Sequence, residues 1–180
     1  SWSELVIKVL PEINKKAVEN LIKVGFFGGL RKSRSEMLHE HSCVLELTKK
    51  ELANLRSCVD ASNFQIDFKS HIQYFISKGL KRDGGFISTE SRLVKVQNIL
   101  SRLNNPGRSL VDNPSMYAKI EEKLLGCAIS HSELNACADA AHANATCKEV
   151  SDGKIDKSTL ACVVKRIREH QTKNDDEMVF

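Results

Sequence analysis

Residues 20–34 read NLIKVGFFGGLRKSR and bring three glycines (Gly25, Gly28, Gly29) together with four cationic side chains (Lys23, Arg31, Lys32, Arg34). Glycine leaves backbone N–H groups uncovered, and Lys and Arg supply positive charge, so the combination suits recognition of phosphate oxygens rather than covalent catalysis. The same residues also have a plainer use: Gly25 ends one helix so that a second begins. Spacing alone is compatible with both.

Other chemistry is sparse. There is no G-x-S-x-G nucleophile elbow, no G-x-x-x-x-G-K-[ST] phosphate loop and no H-E-x-x-H helix. The paired carboxylates Glu121/Glu122 and Asp175/Asp176 fall on an expected helix and an expected turn, where a solvated face accounts for them. His39, His41 and Cys43 cluster in HEHSC, and Cys127, His131, Cys137, His142 and Cys147 follow later. Zinc ligands pair two to four residues or one helical turn apart, whereas these cysteines recur every ten residues, so neither a metal nor a cofactor is expected. All six cysteines, Cys58 and Cys162 included, read as free thiols serving as small apolar groups. Phe26 and Phe27 are expected to anchor the hairpin in the core rather than to stack on bases.

The chain of 180 residues is 41% hydrophobic and 28% charged, enough for one good core or a main domain with an appendage. Its net charge of +4 suits an anionic partner without demanding one. With no run of 18 apolar residues and no secretory pattern, it reads as cytoplasmic with no membrane role.

The elements that position these residues are mainly helical. Four capping boxes (Ser1/Glu4, Ser33/Glu36, Thr48/Glu51, Ser130/Glu133) and further caps at Asn14, Asp67, Thr89 and Asn113 mark helix starts. With stops at Pro11, Gly25, Gly79 and Gly126, they predict helices over 2–10, 15–24, 34–45, 49–59, 68–78, 90–103, 114–125 and 131–141. Apolar spacing gives each helix a face to bury, for example Val18, Leu21 and Ile22, or Tyr117, Ile120, Leu124 and Leu125. GLKRDGGF (79–86) and NNPGRSLVDNP (104–114) read as connecting surface loops. Beyond SDGK (151–154), alternation in TLACVVKRIREHQT predicts strands over 160–170 and 177–180 about a turn at 173–176. Two strands alone are marginal, so this part reads as unfinished.

NKKAVENLIKVGFFGGLRKSRSEML (14–38) resembles the helix-hairpin-helix of the bacterial and phage family C replicative polymerases, the DNA polymerase III alpha subunits. That family shows a helix ending LIKAGAFD and an Arg opening the next helix; Leu21, Ile22, Lys23, Gly25, Phe27 and Arg34 take matching places. IEEKLLGCAIS (120–130) resembles its EKELLGFYLS segment, and residues 159–180 resemble the opening hairpin of its OB domain, in the same order. Departures lie at 130–134, where the family has SGHPL, and at 173–175, where it has KKG.

The resemblance implies a helical helix-hairpin-helix domain over 1–145 and the first strands of an incomplete OB-like domain over 155–180. It implies a non-catalytic segment of a DNA-directed DNA polymerase, since the family's catalytic aspartates lie upstream. Its partners would be double-stranded DNA, gripped through backbone phosphates, and the remaining polymerase domains and replisome subunits. The DNA-contacting set would be Lys23, Gly25, Gly28, Gly29, Arg31, Lys32 and Arg34, with Phe27 standing where a G-h-G hairpin has its second glycine. The alternative is a helical protein-interaction module with no nucleic-acid role.

Overall fold

A computed structural model describes residues 1–61, 66–131, 142–153, 157–162, 164, 169–171 and 177–179. They are mainly helical and group into two compact units, Ser1–Asn113 and Pro114–Phe180.

In the first unit, the opening helix starts as α over Trp2–Glu4 (α1), widens to a π-helix over Leu5–Val9 and tightens to 3-10 over Leu10–Glu12. Pro11 has no N–H to offer the Ile7 carbonyl four residues back, and Arg56 Nε donates to that oxygen instead at 3.3 Å. The expected helix over 2–10 is therefore present but not regular. The next five helices begin at the caps read from sequence. They are α2 (Lys15–Lys23) after Asn14, α3 (Arg34–Val44) after Ser33, α4 (Lys49–Ala61) after Thr48, α5 (Phe68–Ser77) after Asp67 and α6 (Glu90–Asn104) after Thr89. At α4 the capping box closes in both directions: Thr48 N–H donates to Glu51 Oε2 at 2.8 Å, and Glu51 N–H to Thr48 Oγ1 at 3.2 Å.

These helices bury one continuous core that includes Val18 and Ile22 from α2, Met37 and Val44 from α3, Leu55 from α4 and Phe75 from α5. The connector at 79–86 does more than join α5 to α6. Lys81 N–H donates to Ile87 O at 2.8 Å and Gly85 N–H to Leu80 O at 2.8 Å, which carries Ile87 into the core. A Cβ on Gly85 would lie 2.1 Å from Lys78 O, so only glycine lets the two backbones come this close.

The second unit holds α7 (Pro114–Leu125) and α8 (Cys147–Ser151). Two expectations fail on α7. Its buried face is Tyr117, Ala118 and Glu121, whereas Leu124 and Leu125 are exposed. Glu121 is fully buried rather than solvated: its carboxylate accepts from Ile129 N–H at 2.7 Å, from Ser130 N–H at 2.8 Å and from the Ser130 hydroxyl. A buried carboxylate is sustained by such donors, and here it fastens the turn that follows its own helix.

Ser130 thus serves Glu121; its expected box partner Glu133, Asp175, Asp176 and nearly all of the expected helix at 131–141 lie outside the described residues. Near the end, Glu169–Gln171 (β1) pairs antiparallel with Glu177–Val179 (β2), Glu169 facing Val179. Residues 158–162 carry no strand, so the first strand expected over 160–170 is not continuous. Among the described residues, no helix is long and apolar enough to cross a membrane.

Candidate nucleic-acid interface

The hairpin between α2 and α3 is built by interlocking local rules. Gly25 takes φ +78° just beyond α2. Its N–H donates to Ile22 O at 3.0 Å, and Phe26 N–H reaches back to Leu21 O at 3.0 Å, the paired bonds of a Schellman stop. The chain then makes a 3-10 turn over Gly28–Leu30 and enters α3 through Ser33. Ser33 N–H donates to Glu36 Oε2 at 2.8 Å, and Glu36 N–H to Ser33 Oγ at 3.0 Å.

Gly25 behaves as its sequence context predicts, but Gly28 and Gly29 do not supply the left-handed bend. That conformation falls on Arg31, at φ 55°, the one non-glycine with positive φ among the described residues. Such a conformation costs a branched-chain-free L-residue about 1–2 kcal/mol, strain of the kind found at functional turns. Gly28 and Gly29 are exposed, and a Cβ built on either meets nothing within 4 Å. Both positions therefore face open space, and nothing nearby would obstruct a side chain at either.

The seven candidate residues separate into two groups. Lys32 is paired with Glu40, whose other carboxylate oxygen accepts from the Trp2 indole N–H at 2.6 Å. Arg34 donates to Lys23 O at 2.9 Å, and its guanidinium lies so close over Gly25 that a Cβ there would sit 2.6 Å from Nη2. Both cations hold the hairpin together and neither faces outward as expected. Lys23 and Arg31 make no side-chain ion pair among the described residues, and Arg31 is exposed.

The amino end of α3 is likewise committed. Arg34 N–H and Ser35 N–H each donate to the Asp112 carboxylate at 2.9 Å, and the Ser33 hydroxyl donates to Leu110 O at 2.6 Å. The loop at 104–114, read from sequence as a connector, thus brings a carboxylate to the place where the helix end favours an anion. Of the seven candidates, Gly28, Gly29 and Arg31 are exposed and Lys23 is half-buried, while the Gly28 N–H is spent within the turn on Gly25 O at 3.0 Å.

The two phenylalanines part company. Phe27 packs against the core, its ring centroid 5.9 Å from Trp2 in an edge-on contact. Phe26 is 70% exposed, correcting the expectation that both rings are anchored, and its ring rests edge-on against Phe27 at 5.2 Å.

The HEHSC side chains are engaged separately. His39 Nε2 lies 3.1 Å from Arg102 O, Cys43 is fully buried, and His41 is buried with Nε2 lacking a hydrogen-bond partner. Burial holds the His41 imidazole below its ordinary pKa, with Glu19 opposing and Lys15 adding to that shift. Among the described residues no group of three His, Cys, Asp or Glu converges on a point. Comparison with models of known families, with curated proteins and with solved structures finds no match.

Proposed function

We propose that the chain is a non-catalytic segment of a replicative DNA polymerase that contacts duplex DNA through the hairpin, without sequence preference. The observation that carries this reading is the turn: two cations, Lys23 and Arg31, without ion pairs among the described residues, close in sequence to two exposed glycines whose surroundings are open. Backbone phosphates are reached by such a surface and base edges are not, so binding is electrostatic and blind to sequence. The polymerase assignment is drawn from the three segments that resemble the DNA polymerase III alpha subunits in order. On that assignment, β1 and β2 are the beginning of an OB-like barrel, and the other polymerase domains are partners.

The geometry narrows the footprint. With Lys32 and Arg34 engaged inside the hairpin, about two phosphates are contacted, and log affinity falls with log salt at a slope of about −2, taking −0.9 per phosphate. Arg31→Gly is the diagnostic variant, because glycine relieves the left-handed strain while removing a cation. Weaker duplex binding with undiminished stability supports the reading; weaker binding accompanied by unfolding, or unchanged binding, opposes it.

A further inference from the structure

We propose that Phe26 is a stacking residue for an unpaired nucleobase, so that the hairpin prefers DNA interrupted by a gap or a single-strand junction over continuous duplex. This rests on the duplex-contact reading and adds to it which DNA is favoured.

A lone exposed apolar side chain ordinarily means nothing. Phe26 differs in how it is held. Its N–H is tied into the helix stop at Leu21 O, its ring leans edge-on against Phe27, and Phe27 leans edge-on against Trp2, which is buried and anchored through its indole N–H to Glu40. Three rings thus run from the core to the tip, and a ring placed in advance loses little freedom on binding. Its surroundings favour nucleic acid over an apolar protein pocket. Lys23 and Arg31, three residues before Phe26 and five after it, make no ion pairs among the described residues, and Gly28 and Gly29 are exposed with open space where side chains would stand, the Gly29 position following a Gly28 whose N–H is spent on Gly25 O. A polyanion drawn to these cations brings its bases to the ring.

Within continuous duplex every base face is already covered by its neighbours, and the grooves offer only edges. A gap or junction uncovers one face. Base–aromatic stacking is tolerant of base identity and large enough, by alanine substitution, to alter affinity about five-fold or more.

The test uses the full chain with two DNAs of equal length at low salt, one continuous and one carrying a single-nucleotide gap with 2-aminopurine at its edge. Wild type is expected to bind the gapped DNA at least about five-fold more tightly and to change 2-aminopurine fluorescence. Phe26→Ala should abolish that preference and the fluorescence change while keeping affinity and salt slope on continuous duplex, and Phe26→Tyr should retain both. Equal affinity of wild type for the two DNAs, or a preference that survives Phe26→Ala, overturns the proposal and leaves the duplex reading standing. Absence of salt-dependent binding to either DNA overturns both.

Discussion

Gly25 and Arg34 offer a thermodynamic cycle whose outcome follows from their contact. Alanine at 25 meets two obstacles: the left-handed φ of +78°, and the Arg34 guanidinium 2.6 Å from the new Cβ. The first costs about 1 kcal/mol. The second is relieved only if Arg34 swings away and gives up its bond to Lys23 O, a charge-assisted hydrogen bond that contributes about 1.5 kcal/mol for a half-buried group. Gly25→Ala should therefore destabilise the first unit by about 2.5 kcal/mol. Arg34→Ala alone should cost at least about 1.5 kcal/mol, since the same bond is lost. In the Arg34→Ala background nothing remains to displace, so Gly25→Ala should cost only about 1 kcal/mol, a coupling of about 1.5 kcal/mol. Urea unfolding followed by fluorescence of Trp2, the chain's one tryptophan and a buried one, reports each corner of the cycle. Additivity within about 0.5 kcal/mol would show that Arg34 does not lock the helix stop.

His41 ties stability to pH. Its folded pKa is depressed by burial, so well above pH 6.5 it is neutral in both states, and as pH falls through about 6.5 the unfolded chain takes up the proton more readily. Stability should decline as pH falls from about 6.5 towards 5, and His41→Gln should flatten that decline in melting experiments; an unaltered slope would place the effect elsewhere. Burial raises the thiols of Cys43 and Cys58, whereas Cys127, Cys147 and Cys162 are exposed. An aromatic disulfide reagent should label the last three in the folded protein and the first two only on unfolding. Asp112→Ala removes the acceptor of two N–H groups at the start of α3 and should lower stability by about 1–2 kcal/mol, with faster amide exchange at Arg34 and Ser35. Unchanged exchange there would mean that the carboxylate is not what protects them.

Helix starts were legible because capping is local. Asn14, Ser33, Thr48, Asp67 and Thr89 each satisfy a donor two or three residues on, inside any short window of sequence. Gly25 is legible for the same reason. The hairpin's cations were not, because their fates are decided by partners elsewhere in the chain. Lys32 meets Glu40 in the second turn of α3, and the amino end of α3 is claimed by Asp112 from 77 and 78 residues away. Glu121 beside Glu122 reads as a solvated pair until the turn at 129–130 folds back over it. Phe26 and Phe27 are indistinguishable by composition; Phe27 is the one that meets the core, Trp2 included, which no short window of sequence shows.

The most direct test of the central claim is a salt titration of duplex binding by fluorescence anisotropy, comparing wild type with the Lys23→Glu/Arg31→Glu double variant. Charge reversal at the other two cations is unsuitable, because Lys32 and Arg34 hold the hairpin itself. Wild type should bind with a log–log salt slope of about −2 and no sequence preference, and the double variant should lose measurable binding while its circular dichroism stays unchanged. Wild-type affinity and slope persisting in the double variant, or no binding by the wild type at low salt, would contradict the assignment of the hairpin to DNA.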